Sequence, residues 1–326
     1  MELIVNLIKK YHVALDTVKE FEEIILSDHS VNAVKPANCL LIKSSTFIWK
    51  IWNKLCAKLK FQVKFNWKKK MVYKKQLFVV LMGTNFSQCL PYFAFSASKS
   101  MYLFDSWPAT HKKIERFVNL FGIDNIFFTS SQTTELFQKR LNGTKCYWIP
   151  EGINPEGYKH YRYEDKNIDV LALGRKYDAY HEQIVSYLYS TKKVYLYEKE
   201  KGEIIFPTRE DFIDGLAKAK ISVCVPSNIT HPNRAGNIET MTIRYLQSMV
   251  SKCIILGHAP KEMITLFGYN PVIEIDALDP VGQLQSILSN YSDYIPLIEK
   301  NYNIVMSDHT WMNRWSKINS ILAVNV

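Results

Sequence analysis

"KISVCVPSNITHPNRAGNIETMTIRYLQSMVSKCIILG", Lys220 to Gly257, holds a complete strand–helix–strand unit. "KISVCVP" (220–226) is a short apolar run closed by proline, as expected of a strand covered on both faces. "SNITHPNRAGNI" is rich in Asn, Pro and Gly and reads as a loop. Helical spacing takes over across 239–250, and "CIILG" (253–257) is a second buried strand that stops at glycine. Two strands joined by a crossover helix lie parallel in one sheet. The helix opens on Glu239, with Arg244 five positions on and Gln247 eight on. At 100° per residue, Gln247 is predicted about 80° around the helix from Glu239, on the same broad side.

The same alternation continues on both sides. Downstream of residue 167, "IDVLALG" (168–174) and "KVYLYEK" (193–199) read as strands, and "YHEQIVSYLYS" (180–190) and "TREDFIDGLAKA" (208–219) as helices. "PKEMITLFG" (260–268), "DPVGQLQSILSNYSD" (279–293) and "TWMNRWSKINSILAV" (310–324) read as helices, and "PVIEID" (271–276) as a strand. In the first half, "NCLLIK" (38–43), "KFQVKF" (60–65), "QLFVVLMG" (76–83), "SMYLFD" (100–105) and "NIFFTS" (125–130) are predicted strands. The run 44–59 is a predicted amphipathic helix that buries Phe47, Ile48, Ile51, Trp52, Leu55 and Leu59, and helices follow at 109–121 and 130–142. "IPEGINPEGYKHYRYEDKN" (149–167) has no periodicity and reads as a linker. The expected fold is α/β, with two doubly wound Rossmann-like domains facing across a cleft. Residues 1–150 form the first domain and 151–309 the second. The terminal helix, 310–326, is expected to stand apart and pack back on the first.

Composition narrows the function classes. The 326 residues are 47% hydrophobic and 13% aromatic, which suits two globular domains. Six cysteines at 39, 56, 89, 146, 224 and 253 form no C-x-x-C pair, so they read as reduced, buried thiols rather than zinc ligands or a disulfide scaffold. The first residues lack the order of a signal peptide, and no apolar run is long enough to cross a bilayer. The expectation is a cytoplasmic protein, peripheral at most to the inner membrane face. The net charge of +10 is uneven: between Asp28 and Asp105 there are thirteen lysines and no Asp or Glu. Such a segment, centred on Lys50–Lys75, suits an anionic partner, either a lipid surface or a charged acceptor. The same segment has no arginine, the residue that best grips bases and phosphates, which argues against nucleic acid.

In open α/β sheets, ligands bind beyond the carboxyl ends of the strands. Gly174, Arg175 and Lys176 follow the strand at 168–174 and offer two cations to a diphosphate. Glu239, Arg244 and Gln247 stand at the next strand end, where a helix start favours phosphate. On the residues alone, Glu239 reads equally as a capping acid. In the first half, Gly83, Thr84 and Asn85 end one strand, and Asp105 and His111 lie beyond another. Asp105 or His111 could act as a general base, or could simply cap a turn and face water.

"DVLALGR", "GLAKAKISVCVPS" and "ETMTIRYLQSMVSKCIILGHAPKEM", in that order, resemble the donor-binding domain of GT-B glycosyltransferases of the retaining E-x7-E type. Glu239 matches the first Glu of that pattern, and Gln247 stands in place of the second. "QSMVSKCIILG" parallels "EAMAxGxPVI", with Lys252 where Gly is common. "IPEGIN" (149–154) stands where "IPNGVD" is usual, within a segment (125–158) similar to the end of the acceptor domain in those families. The resemblance implies a nucleotide-diphospho-sugar co-substrate of UDP or GDP type, a glycan or lipid-linked acceptor, and no bound metal or other cofactor. It assigns donor-sugar contact to Glu239, ribose contact to Gln247 and leaving-group stabilisation to Arg175. The Glu-to-Gln change removes one charge and leaves an amide at the ribose position. A sugar-nucleotide epimerase of the same fold, or a basic protein that binds anionic surfaces or nucleic acid, are the other classes open to the sequence.

Overall fold

A computed structural model describes residues 1–5, 15–34, 39–59, 73–93, 96–174, 176–200 and 202–324. The chain groups into two compact units, Met1–Pro150 with Arg234–Ile238, and Glu151–Asn233 with Glu239–Val326.

The first unit is built on a parallel sheet of β1 (Glu2–Ile4), β2 (Asn32–Ala33), β3 (Tyr73–Met82), β4 (Ser96–Phe104), β5 (Asn125–Phe128) and β6 (Lys145–Trp148), in the order β2-β1-β3-β4-β5-β6. Its helices are α1 (Asp16–Leu26), α2 (Cys39–Leu59), α3 (Leu90–Phe93), α4 (Pro108–Phe121) and α5 (Ser131–Arg140). One sheet face buries Val79, Leu81, Leu103 and Phe128 against Ile114 and Phe117 of α4. The alternate residues serve the other face, where Phe21 of α1 packs edge-on against Tyr102, ring centres 5.0 Å apart. Both faces are covered, which is why β3, β4 and β5 read as continuous apolar runs.

The second unit repeats the design with β7 (Ile168–Ala172), β8 (Tyr195–Tyr197), β9 (Ala219–Cys224), β10 (Ile254–Gly257) and β11 (Ile273–Glu274), again parallel, in the order β11-β10-β9-β7-β8. The helices are α6 (Asp178–Ser190), α7 (Arg209–Ala217), the one-turn α8 (Ser227–Thr230) and α9 (Pro232–Ala235, whose last two residues group with the first unit), then α10 (Ile243–Val250), α11 (Lys261–Phe267), α12 (Pro280–Ser289), α13 (Ile295–Asp308) and α14 (Trp311–Val324). In each sheet the first strand lies beside the third, so the winding reverses between β1 and β3 and between β7 and β9. Those two points are where an open sheet leaves a crevice at its carboxyl edge.

Three expectations need correction or fall outside the described residues. "NCLLIK" (38–43) is no strand: from Cys39 it is the first part of α2. A short apolar run satisfies either period, and helix-period residues follow directly. The expected buried face of that helix is also wrong. Trp49 and Cys56 are buried, and Trp52 is partly so, while Phe47, Ile48, Ile51 and Leu55 are exposed. Trp49 fixes the rotation by sitting edge-on to Phe117 at 5.4 Å and Phe86 at 6.1 Å. The strand expected at 60–65 lies outside the described residues.

The segment 149–167 is extensively tied down. Ile153 bridges Thr310 in parallel register and exchanges backbone bonds with His309 and Trp311. Buried Lys166 donates to the carbonyls of Ala217, Ala219 and Ser251 at 2.8–3.0 Å. His309 stacks on Phe267, ring centres 4.5 Å apart, and its Nδ1 accepts from Arg314 Nη2 at 2.7 Å. Burial, reinforced by Arg314, pushes the His309 pKa down to about 4. Burial also lowers His111, His160 and His181. Below the ordinary histidine value of 6.5 the unfolded chain therefore binds protons that the folded chain refuses. The urea midpoint is expected to hold steady above about pH 6.5 and to fall as the pH drops toward 4. A flat profile across that window would contradict the buried neutral histidines.

Candidate functional site

At the carboxyl ends of β7 and β9 the second unit gathers Gly174, Arg244 and Lys176. Gly174 has φ +72°, and a Cβ there would lie 3.2 Å from Arg244 Nη1. A glycine thus lets the guanidinium come down onto the strand end, where Nη1 donates to the Leu173 carbonyl at 2.6 Å. Lys176 pairs with Asp178 at 3.4 Å and lies over the Tyr197 ring at 5.8 Å. Arg175, the expected leaving-group residue, lies outside the described residues.

Glu239 is not in the helix. α10 begins four residues later, at Ile243, and the reason is two buried carboxylates. Glu262 Oε1 accepts from Thr240 Oγ1 at 2.7 Å and from the Met241 amide at 2.9 Å, which holds that stretch extended. Glu151 Oε2 then accepts from the Ile243 amide at 2.6 Å. The first amide of α10 therefore already meets an acid, so the expectation of an open helix start ready for phosphate is corrected. Glu151 is itself held through its carbonyl by Arg314 of α14 at 3.3 Å. Glu239 accepts from the Lys261 amide, at the start of α11, at 3.3 Å. Gln247 is 8% exposed, and its amide nitrogen donates to the Tyr158 hydroxyl at 2.9 Å. The expected shared helical side for Glu239 and Gln247 is thus replaced by an extended segment leading into a helix.

Nearby at the end of β10, His258 Nδ1 meets Glu274 Oε2 at 2.8 Å, and the Tyr177 ring stands edge-on to the imidazole at 5.9 Å. Sequence reasoning missed Glu151, Tyr158, Glu262, His258 and Glu274. For Glu151 the signal was present: it is the acid that departs from the usual "IPNGVD".

In the first unit, Gly83, Thr84 and Asn85 follow β3 while Asp105 follows β4, and the two strands are neighbours. Gly83 N donates to the Phe104 carbonyl at 3.0 Å. Lys113 of α4 reaches Thr84 Oγ1 at 2.9 Å, and Asn85 Oδ1 accepts from Ser87. Asp105 has φ +50° and pairs with Arg234 at 2.7 Å, whose guanidinium lies over the Trp107 ring at 5.2 Å. His111 is not the solvated residue one reading allowed: it is 5% exposed, edge-on to Phe137, and its Nε2 shares a hydrogen bond with the Ser106 carbonyl at 3.0 Å. Burial lowers its pKa, which keeps the ring neutral at pH 7. Among the described residues no cluster of His, Cys, Asp or Glu could hold a metal ion.

No protein-family model matches the chain, and no curated protein sequence matches it. Solved structures do. HepE from Anabaena, in complex with UDP-glucose, is similar at a TM-score of 0.59 with 9% identity, covering 99% of both chains. A glycosyltransferase from Rickettsia africae is similar at 0.54 with 10% identity, covering 98% of this chain and 96% of that one. Sucrose-phosphate synthase from Thermosynechococcus elongatus is similar at 0.54 with 12% identity, covering 89% of this chain and 82% of that one. With two doubly wound parallel sheets, these likenesses show the GT-B fold.

Proposed function

We propose that the protein is a glycosyltransferase that takes a sugar from a nucleotide-diphospho-sugar of UDP or GDP type and passes it to a glycan or lipid-linked acceptor in the cytoplasm. The observation that carries this reading is the Arg244 guanidinium set on the Leu173 carbonyl beside Gly174, at the point where the second sheet reverses its winding. A fixed cation at such a point suits a diphosphate, and a planar fork suits phosphate oxygens better than an ammonium does. The resemblance adds Arg175, and Lys176 is added on its charge.

In this reading the diphosphate leaves with its charge balanced by Arg175, Lys176 and Arg244, without a metal ion. Glu239 contacts the donor sugar. For the ribose, Gln247 has its amide oxygen and one remaining N–H, since Tyr158 takes the other. Gly83, Thr84 and Asn85 offer polar groups to the acceptor. The E-x7-E resemblance favours retention of configuration; Asp105 and His111 are the candidate bases if the product is inverted.

The test is a thermal-shift series with UDP, GDP, CMP and dTDP in metal-free buffer. UDP or GDP is expected to raise the melting temperature, because a ligand that binds only the folded state stabilises it by mass action. Glu239→Ala and Arg175→Ala are each expected to abolish sugar transfer while leaving the circular dichroism melt intact. No shift with any nucleotide, or full transfer by both variants, would remove this reading.

A further inference from the structure

We infer that α2 is a docking face for anionic phospholipid membrane, an inference that stands whether or not the protein transfers sugar. The helix carries three stripes. Trp49 and Cys56 turn into the first unit, where Arg116 Nη1 also grips Asn53 Oδ1 at 2.6 Å. Phe47 and Ile48 are 64% and 65% exposed, and Leu41, Ile51 and Leu55 are also exposed. At 100° per residue these five side chains fall within an arc of about 120°, with Ile51 about 160° around from Trp49. Lys43, Lys50 and Lys54 occupy the adjoining arc, and Lys58 lies within the apolar one; all four are exposed.

An apolar stripe turned to water and flanked by cations is what an interfacial helix presents to acyl chains and headgroups. No acid lies anywhere between Asp28 and Asp105, and among the described residues none of these four lysines has an ion pair. The charge complement of this face is therefore an anionic surface. A second copy of the same face would bring no carboxylate to the lysines, so self-association leaves them unpaired. The helix is not long and apolar enough to cross a bilayer, so it would lie along the surface. The basic segment predicted to meet an anionic partner thus has an apolar component that the sequence had assigned to the core. Lys60 to Lys70 lie outside the described residues and are not needed for this inference.

Flotation of the full chain with vesicles tests it. The protein is expected to float with phosphatidylcholine–phosphatidylglycerol vesicles mixed roughly two to one at low salt, to stay behind with phosphatidylcholine alone, and to release as salt rises. Phe47→Ser with Ile51→Ser, and separately Lys50→Glu with Lys54→Glu, should each cut the bound fraction at least tenfold. Because all four side chains are exposed, the melting temperatures should not change. No flotation on the anionic vesicles would overturn the inference, as would binding that neither variant weakens. A dimer that the Phe47/Ile51 variant dissociates, seen without vesicle binding, would overturn it in favour of a second copy.

Discussion

Arg244→Ala is expected to weaken nucleoside-diphosphate binding about a hundredfold, because hydrogen bonds from a fixed guanidinium to a charged partner are among the strongest single polar contacts a site makes. Arg244 is placed by two independent features. α10 supplies its position, one residue inside the helix, and the missing side chain of Gly174 supplies its landing place. The Leu173 carbonyl then holds one end of the fork. Arg244→Lys should not rescue binding, since an ammonium lacks the planar fork that holds Leu173 with one nitrogen and offers paired N–H groups to a diphosphate. The folded state should be little affected, because the side chain is only half-buried and loses one hydrogen bond, worth about 1 kcal/mol. The readout is the nucleotide-induced rise in melting temperature across a titration. Binding within threefold of the parent chain would exclude Arg244 from the donor site.

Gly257→Ala is expected to destabilise the second unit by about 4 kcal/mol and lower its melting temperature by about 10 °C. Gly257 pairs with Cys224 at the carboxyl end of the sheet, and a Cβ there would lie 1.7 Å from the Cys224 carbonyl oxygen and 2.6 Å from its carbon. Neither atom belongs to a flexible side chain, so relief requires β9 and β10 to part. That would break the bond from the His258 amide to Cys224 and disturb the one from Ile275 to Gly257. Gly268→Ala is the matched control: φ there is +73°, but no atom lies within 4 Å of the new Cβ. Its cost should be only the backbone strain, about 1 kcal/mol. Equal melting temperatures for the two variants would show that crowding at Gly257 is not what demands glycine.

The alternation of apolar runs and helical spacing was enough to expect two doubly wound sheets, because strands covered on both faces write themselves as Val, Ile, Leu and Phe in unbroken runs. Elements whose apolar residues serve two purposes were not legible. In α2, Phe47 and Ile48 fit a core stripe as well as Trp49 does, and only the aromatic pocket formed by Phe86 and Phe117 selects the rotation. The start of α10 was illegible for a different reason. Glu239 carries the local signal of a helix start, but Glu262 and Glu151, 23 residues after it and 88 before it, claim the amides that set the boundary. Arg244 could be singled out from its residue type, yet its partnership with Gly174 needed the strand order.

The chain Arg314–Glu151–Ile243 has a consequence for biosynthesis. Glu151 emerges from the ribosome long before Arg314, and its carbonyl cannot be held until α14 has been made. A nascent chain that ends at α13 can carry both sheets complete and still lack the clasp behind the first turn of α10. Ordering of the first turn of α10 would then lag behind formation of the two sheets, and partly synthesised chains would carry the strands before that turn is fixed.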